Sequence, residues 1–564
     1  MKRFLWLGFV LFIYVICSGC GDTFRPIIIP NPPIFPNPKA AHSVVAINDN
    51  GPAAPGSAMV VDVSGDTDVS VKDVGYAPVH AVQQTANQVL VVNHSASNGQ
   101  ADSITKLNFS STIISGSTTI SLPANSAPSF VAVAPTDTTA YVTLPDYVPD
   151  PINNPGVVVP SIGVVNTQSN NVVATITTGV NPVALAVTPD KSKLYVANQG
   201  NGNGTVNGFN TVDRSQRVGS PVSTTSPPIW LVARTDNQRV YVLEQNGTLA
   251  WLDTTSTAGP DTFTETAISV PGATTMVYDT NLNRLYIPGG PQMAIVDISQ
   301  SAPQLLKTIS IPQVAGVPAV PANAVAVAAL PDGSRAYVAS VPTAAQPSQL
   351  SISAVQGDGT TATYTYTLTG GHDLTAGITV VVSGITTPDG FDGTFLVNSA
   401  SNSVLGTTCD QAQAICTFQA ANTTLLATQT AVTGTASSTI DNLFPQVTVV
   451  DVSSNSITKT IGIPGFPDAT NPSTPQYYAP VCIPPASQTP PVPYRATFRY
   501  MMGAAGDSSR TYLSSCDGGN VNLIDTSNDT YIENLPAPAS NSRQPIPPSP
   551  LNPPQNPVFL FAGP

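Results

Sequence analysis

Charged side chains are scarce in this chain of 564 residues, of which Asp, Glu, Lys and Arg make up only 9%. An ordinary soluble protein has about a quarter. The 20 Lys and Arg residues form no basic stripe, and the formal net charge is −13. Because such a surface repels phosphate backbones, no nucleic-acid partner is expected. The abundance of Val, Thr, Ser, Asn and Pro favours short strands joined by turns over long helices.

Groups that carry chemistry are also few. The four histidines, His42, His80, His94 and His372, are far apart in the sequence, whereas a metal or catalytic site needs several ligands that converge. His372 is predicted to lie in an exposed turn. The chain lacks C-x-x-C-H, which excludes covalently bound c-type haem, and it has no G-x-S-x-G or Walker motif in a suitable setting. No cofactor and no catalytic residue are therefore predicted.

The N-terminus has the pattern of an export signal. Lys2 and Arg3 precede an apolar run from Phe4 to Ile16, which is too short to span a bilayer but suits a signal peptide. Ser18 and Gly19 directly before Cys20 resemble a bacterial lipobox, although Cys17 stands where Leu is usual. The resemblance implies that residues 1–19 are removed and that Cys20 is lipidated; an ordinary cleaved signal is the alternative.

Four further cysteines lie beyond the predicted signal. An even number of cysteines in an exported protein indicates disulfides. Cys409 and Cys416 flank a short polar loop, while Cys482 in a Pro-rich loop and Cys516 after a strand-like run form the second candidate pair. A metal or redox role is disfavoured because neither pair has C-x-x-C spacing or a nearby His.

A repeated phrase organises most of the chain. Asn181–Asn198 contains two alternating apolar runs separated by Pro189 and Asp190, the pattern of a β-hairpin. Related units recur about every 45–54 residues, with four strand-like runs each. Because one four-stranded sheet cannot bury both of its faces, this period predicts an all-β propeller with one sheet per blade.

The first unit lacks an innermost strand, and the chain ends in the strand-like run Asn556–Ala562. A C-terminal strand paired with the N-terminal blade would close the ring and remove two free edges. Counting this composite blade gives eight blades. The predicted regions are a Pro-rich tether (20–40), the first part of the propeller (41–340), an inserted small β-module (341–443), and the rest of the propeller (444–564).

The repeats resemble the YVTN family of β-propeller repeats. The residues that carry the resemblance are Leu194–Asn198, Pro331–Gly333 with Tyr337–Ala339, Val172–Ile176, Val449–Val452 and Leu523–Thr526. The resemblance implies a propeller for most of residues 80–532 outside the insertion, and the family habit would favour seven blades over eight. It implies little about function, since a fold does not determine its site.

The inserted module enters between the second and third strands of a blade. Its strand-like runs are Ala362–Leu368, Ile378–Val382, Gly393–Val397 and Cys416–Phe418. A hairpin tip tolerates insertion because no buried backbone hydrogen bond is lost there. The module is predicted to be a small sandwich or barrel that projects from one rim.

Carboxylates and other polar residues suggest a few weaker sites. Asp62, Asp66 and Asp68 are weak calcium candidates, with solvated turn residues as the preferred interpretation. Asp253, Asp297, Asp451 and Asp525 recur at equivalent positions in the repeats, which favours turn-stabilising hydrogen bonds. Candidates for a channel site are Arg234, Glu244 and Arg284.

These observations favour a non-enzymatic propeller, lipid-anchored at the bacterial cell envelope, at the outer membrane, with a protein or glycan partner. The alternative is a lactonase-like or quinoprotein-like propeller with a site in the central channel. Three or more ionisable side chains gathered there from different blades would favour the enzyme. A plain polar or apolar lining would favour the binding protein.

Overall fold

The computed structural model describes residues 43–51, 54–94, 101–316, 318–345, 347–374, 378–400, 416–438, 442–467, 482, 499–539 and 554–563. The predicted signal, the tether with Cys20, His42 and Cys409 lie outside these residues. Within the described part, no helix has the length and apolar character needed to cross a membrane.

Eight four-stranded antiparallel sheets form an eight-bladed propeller, so the larger of the two predicted blade numbers is confirmed. Strands are numbered in chain order, and the first to fourth strands of a blade run from the channel outward. Blade 1 consists of β40 (Asn556–Ala562), β1 (Ser43–Asp49), β2 (Ser57–Asp62) and β3 (Thr67–Asp73); blade 2 of β4 (Pro78–Thr85), β5 (Gln88–Asn93), β6 (Ser103–Ser110) and β7 (Ile113–Ser121); and blade 3 of β8 (Val131–Val133), β9 (Thr139–Leu144), β10 (Ser161–Asn166) and β11 (Asn171–Thr177). Blade 4 consists of β12 (Pro182–Val187), β13 (Lys193–Asn198), β14 (Thr205–Asn210) and β15 (Val222–Ser223); blade 5 of β16 (Pro228–Ala233), β17 (Arg239–Glu244), β18 (Thr248–Asp253) and β19 (Thr262–Ser269); and blade 6 of β20 (Val277–Asp279), β21 (Arg284–Gly289), β22 (Gln292–Asp297) and β23 (Gln304–Ser310). Blade 7 consists of β24 (Ala322–Ala329), β25 (Arg335–Pro342), β33 (Gln446–Asp451) and β34 (Ser456–Gly462), and blade 8 of β36 (Tyr500–Ala504), β37 (Arg510–Ser515), β38 (Asn520–Asp525) and β39 (Thr530–Pro536).

Burial follows from the position of a strand in its blade. Second strands such as β13 are buried along their whole length, because neighbouring blades cover both faces of the sheet. Outer strands such as β11 alternate between exposed and less exposed residues. The apolar core consists of clusters that each join neighbouring blades, for example Leu185, Val196 and Leu231 of blades 4 and 5.

The ring closes through the predicted composite blade. The C-terminal strand β40 pairs antiparallel with β1, which places Leu560 opposite Ala46 and Phe559 opposite Ile47. Val558, Phe559 and Leu560 are buried at this junction. The last strand of the chain therefore supplies the innermost strand of the first blade.

The insertion in blade 7 is a closed six-stranded barrel with the order β26-β27-β30-β29-β28-β31. Its strands are β26 (Gln349–Asp358), β27 (Thr361–Gly370), β28 (Thr379–Ser383), β29 (Gly393–Ala400), β30 (Cys416–Ala421) and β31 (Leu425–Ser438). A short pair, β32 (Asn442–Leu443) with β35 (Phe466–Pro467), lies nearby in sequence. Tyr364 and Phe418 stack inside the barrel at 4.6 Å between ring centroids. The barrel core continues into the core of blades 6 and 7.

Candidate functional site

The strand order gives the propeller two different faces. Because every blade is antiparallel, the loops from the second to the third strand lie on the same face as the blade-to-blade loops; we call this the upper face. The lower face carries the remaining turns within each blade. The barrel is a second-to-third insertion and belongs to the upper face, whereas Ser43 and Ala562 lie at the lower ends of β1 and β40.

Aromatic side chains occupy the channel near the upper face. The residue that follows the first-strand bulge is His80 in blade 2, Trp230 in blade 5 and Phe559 in blade 1, and Phe130 occupies the equivalent position of blade 3. The His80 ring stacks on Phe130 at 3.9 Å and lies 4.6 Å from Phe559. Residues from four blades thus form one aromatic floor.

The floor extends across the channel. The rings of Phe130 and Trp230 meet edge to face at 5.4 Å, although blade 4 stands between their blades. Blade 4 places Ala184 at this level, and its small side chain leaves room for the contact. Trp230 is half-buried, while the other three rings are buried. The channel mouth is therefore lined by flat apolar surfaces.

His80 is the ionisable member of this floor. Its Nδ1 accepts a hydrogen bond of 3.4 Å from the backbone N–H of Val131. Burial among apolar rings lowers the pKa of His80 to about 3, because a desolvated imidazolium is unfavourable. The ring is neutral near pH 7 and acts as a flat stacking surface with one acceptor.

The predicted channel candidates Arg234, Glu244 and Arg284 do not converge. Arg234 donates to the carbonyl of Ile298 in blade 6 at 2.6 Å, and Arg284 donates to Val452 in blade 7 at 2.7 Å. Both arginines join neighbouring blades at the lower face, whereas Glu244 ends β17 at the upper face. In the part of the chain that the structure describes, no three His, Cys, Asp or Glu side chains form a group that could hold a metal ion.

Glu244 occupies a structural position shared by several blades. The last residue of the second strand is Asn93 in blade 2, Asn198 in blade 4 and Glu244 in blade 5, and all three are buried. In each Asn, the oxygen accepts from the preceding blade-to-blade loop, as Asn93 does from Gly75 N–H at 3.0 Å. The amide nitrogen donates toward the third strand, as Asn198 does to Asn207 at 2.8 Å.

A carboxylate at this position can accept the hydrogen bond from the blade-to-blade loop, but without a proton it cannot donate toward the third strand. Glu244 Oε2 accepts from Thr225 Oγ1 at 3.1 Å and from Ser226 N–H at 3.0 Å, whereas Oε1 is buried without a hydrogen-bond partner. Burial, with a smaller contribution from Glu265, raises the pKa of Glu244 to about 7. A proton on Oε1 would supply the donor that the Asn amide supplies elsewhere. Glu244 is therefore a protonated structural residue in mildly acidic solution.

The remaining described histidines also have structural environments. His94 lies 3.4 Å from the buried carboxylate of Asp102, which accepts from the backbone N–H groups of Ser126 and Ala127. The expectation of an exposed turn for His372 is wrong. Its half-buried ring stacks on Phe444 at 3.7 Å, because the turn packs against the chain that returns from the barrel to blade 7.

The calcium candidates are engaged by other groups. Asp62 accepts from Ser64 N–H at 3.1 Å, and both carboxylate oxygens of Asp66 face Arg510. Asp68 is on β3 and belongs to no metal-binding group. The recurring aspartates also accept hydrogen bonds at turns, as Asp253 does from Thr255 N–H at 3.0 Å and Asp525 from Ser527 N–H at 2.9 Å.

Of the predicted disulfides, the structure forms Cys482–Cys516. This bond links the loop between blades 7 and 8 to a second-to-third loop of blade 8, so it lies at the upper face. Cys416 is also disulfide-bonded. Its predicted partner, Cys409, lies outside the described residues, and the same holds for the lipidation candidate Cys20.

Several Arg side chains make contacts between blades that were not predicted from the sequence. Arg335 of blade 7 donates to the Thr526 carbonyl and the Asp529 carboxylate of blade 8, and Arg510 of blade 8 pairs with Asp66 of blade 1. A recurring signal was present, a basic residue two positions before the Tyr of the second strand. It occurs at Lys193, Arg239, Arg284, Arg335 and Arg510.

The upper face also bears an ordered apolar loop in blade 3, residues 145–160, between β9 and β10. Its exposed side chains are Ile152 at 88%, Val157 at 54% and Val158 at 49%. Such a group on one loop is unusual, whereas single exposed aliphatic residues are common. Blades 3 and 7 are opposite each other in a ring of eight, so this loop and the barrel lie on opposite sides of the channel mouth.

Comparisons with known proteins do not assign this chain to a family. No family profile and no curated protein sequence matches it. Among solved structures, it is similar to AztD from Citrobacter koseri, with 10% identity, a TM-score of 0.48, and coverage of 93% of this chain and 98% of that one. A hydrazine synthase structure from Kuenenia stuttgartiensis matches with 14% identity, a TM-score of 0.38, and coverage of 55% and 96%. The Dos1 propeller matches with 10% identity, a TM-score of 0.37, and coverage of 50% and 70%.

Proposed function

We propose that this protein is a lipid-anchored, non-enzymatic propeller of the bacterial cell envelope that binds a protein partner through its upper face. The observation that carries the proposal is the channel mouth. Phe130, Trp230 and Phe559 form its floor together with a neutral His80. The half-buried ring of Trp230, held by the three buried rings, suits binding on a rigid scaffold. Acid–base catalysis needs an accessible group that titrates near the working pH, whereas Glu244 is fully buried.

The orientation of the ring supports an outward-facing binding surface. Ser43, the first described residue, lies at the lower end of β1. We propose that a lipid on Cys20 turns the lower face toward the membrane, which would leave the barrel and the loop at Ile152 available to a partner. The Pro-rich composition of residues 20–40 suits a semi-rigid spacer. We propose the outer membrane as the location.

The repeats are proposed to be of the YVTN type. The buried tyrosines Tyr195, Tyr241, Tyr286, Tyr337 and Tyr512 all lie in second strands. Asn198 closes β13 through hydrogen bonds to the adjacent loop and to the third strand. These roles explain why a Tyr recurs in the second strand of several blades and why the sequence Tyr195–Asn198 suits a scaffold position.

Lipidation is tested by mass spectrometry of the mature N-terminus. We expect an acylated Cys20 in the wild type, and release from the membrane fraction for Cys20→Ser. An unmodified peptide that begins elsewhere would contradict the anchor.

Partner binding is tested in intact bacteria with a photoreactive amino acid at single exposed positions. We expect adducts from the upper face, at Ile152 and Leu425, and none from Val212, which is 93% exposed on a lower-face turn. Equal adducts from both faces would contradict the proposed binding face.

A further inference from the structure

We propose that the loop at residues 145–160 binds a protein segment that presents Lys or Arg beside an aliphatic or aromatic side chain. This inference rests on the proposed function and names the chemistry of the partner. The loop combines three features. It exposes several large aliphatic side chains, its backbone is held by its own hydrogen bonds, and it carries two carboxylates in a stretch of sequence that has no Lys or Arg.

The loop is preformed. Asn154 N–H donates to the Asp150 carbonyl at 2.9 Å, and Val159 N–H donates to the Tyr147 carbonyl at 2.8 Å. Asp150 Oδ1 accepts from Asn153 N–H at 3.0 Å, which closes a turn directly beside Ile152. A loop that is already ordered loses less conformational entropy on binding. These bonds therefore place the exposed aliphatic side chains for recognition.

The charge of the loop favours a basic partner. The hydrogen bonds from Asn153 lower the pKa of Asp150, which favours its ionised carboxylate. Asp146 is exposed on the same loop. No Lys or Arg occurs between Lys106 and Lys191, so blade 3 itself supplies no such cation to either carboxylate. A partner cation would find complementary charge here.

The same groups favour protein over glycan. Ile152, Val157 and Val158 offer no hydrogen bond to sugar hydroxyls and no aromatic face for a sugar ring. They can bury the apolar side chains of a peptide, which removes apolar surface from water on both partners. An anionic lipid surface would be repelled by Asp146 and Asp150.

The test uses the full-length protein and three photoreactive 12-residue peptides, with alternating Lys/Leu, Lys/Ser or Glu/Leu. Adducts are mapped by mass spectrometry, and affinity is measured by fluorescence anisotropy. We expect Lys/Leu adducts on residues 145–160. The double variant Ile152→Ser, Val157→Ser is expected to weaken Lys/Leu binding by about tenfold or more, whereas Val212→Ser leaves it unchanged.

Several outcomes would overturn the proposal. Equal binding of Lys/Ser would show that charge alone acts, and equal binding of Glu/Leu would show that no cation is needed. Adducts spread over other segments would remove the loop as the site, and competition by maltoheptaose would favour a glycan. If upper-face adducts are recovered in bacteria while the peptide test fails, the proposed function stands and only the partner chemistry is wrong.

Discussion

The ring and the barrel inserted in it remove free sheet edges by different means. The ring joins β1 to β40, from opposite ends of the chain, and places cations such as Arg335 and Arg510 across blade boundaries. The barrel closes within Gln349–Ser438, and no Lys or Arg occurs between Arg335 and Lys459. The comparison shows that several of the few cations of this chain join neighbouring blades, whereas the barrel closes on itself without any Lys or Arg.

The largest difference in stability is expected between a variant that lacks the ring-closing strand β40 and a variant that lacks the barrel. Deletion of residues 555–564 takes away buried Val558, Phe559 and Leu560 and exposes the edge of β1, so we expect a loss of more than about 5 kcal/mol in the free energy of unfolding. Replacement of residues 342–444 by Gly-Asn-Gly should leave a folded ring with a smaller loss, because Ser340 and Gln446 already pair and only the part of the core shared with the barrel is removed. Circular dichroism and thermal unfolding of both variants test this. Equal losses would contradict it.

The next largest change in stability is expected for Arg510, which lies at the boundary between blades 8 and 1, where the ring closes. Arg510 is 2% exposed and donates to Asp66 at 2.9 Å, so Arg510→Met leaves a partly buried carboxylate without its cation. We expect a loss of about 3 kcal/mol. The control is Lys307→Met on exposed β23, with an expected change below about 0.5 kcal/mol. Denaturant unfolding measures both changes, and similar values for the two variants would show that the boundary pair is dispensable.

A smaller effect is the pH dependence of stability that Glu244 gives to blade 5, where blades 2 and 4 have an Asn. The folded-state pKa of Glu244 is raised to about 7, above the ordinary value, so the folded protein binds the proton more tightly than the unfolded chain. Its contribution to stability is complete in acid and is lost as pH rises toward 7 and above. We expect a loss of about 2 kcal/mol between pH 5 and pH 8, since solvent at the exposed Glu265 screens part of the repulsion. Glu244→Gln should remove this difference, and an unchanged pH profile would contradict the assignment.

The complementary change is Asn198→Asp in blade 4. The new carboxylate would direct an oxygen at the acceptors that Asn198 Nδ2 now satisfies, including Asn207 Oδ1 at 2.8 Å. We expect a loss of about 1–2 kcal/mol at pH 8 that is partly recovered at pH 5. Thermal unfolding at both pH values measures the recovery. Equal destabilisation at the two pH values would show that the position does not depend on a proton.

Much of the architecture could be predicted because its signal repeats. Strands such as β13 are buried on both faces and read as apolar runs, and the composite blade followed from a missing first strand and an apolar C-terminus. Two barrel strands, β26 and β31, were missed. β31 is largely exposed and rich in Thr and Ala, so it carries little periodic apolar signal.

The candidate site was harder to predict for a physical reason. The floor forms from His80, Phe130, Trp230 and Phe559, which are single residues on four blades, and their meeting depends on ring closure rather than on local spacing. The sequence also gives no reason to expect that Phe130 reaches Trp230 past Ala184. By contrast, the basic residues at the blade boundaries recur with a fixed spacing and could have been found.

The pairing of Ile47 with Phe559 has a consequence for biosynthesis. During translation the earliest strands emerge long before their final partner, so the edge of β1 stays available to other polypeptides for most of the synthesis time. Because contacts so distant in sequence form slowly, we expect the edge of β1 to be prone to aggregation until β40 is available to pair with it. A folding helper that shields open strand edges would therefore raise the yield of this protein more than that of a locally closed barrel.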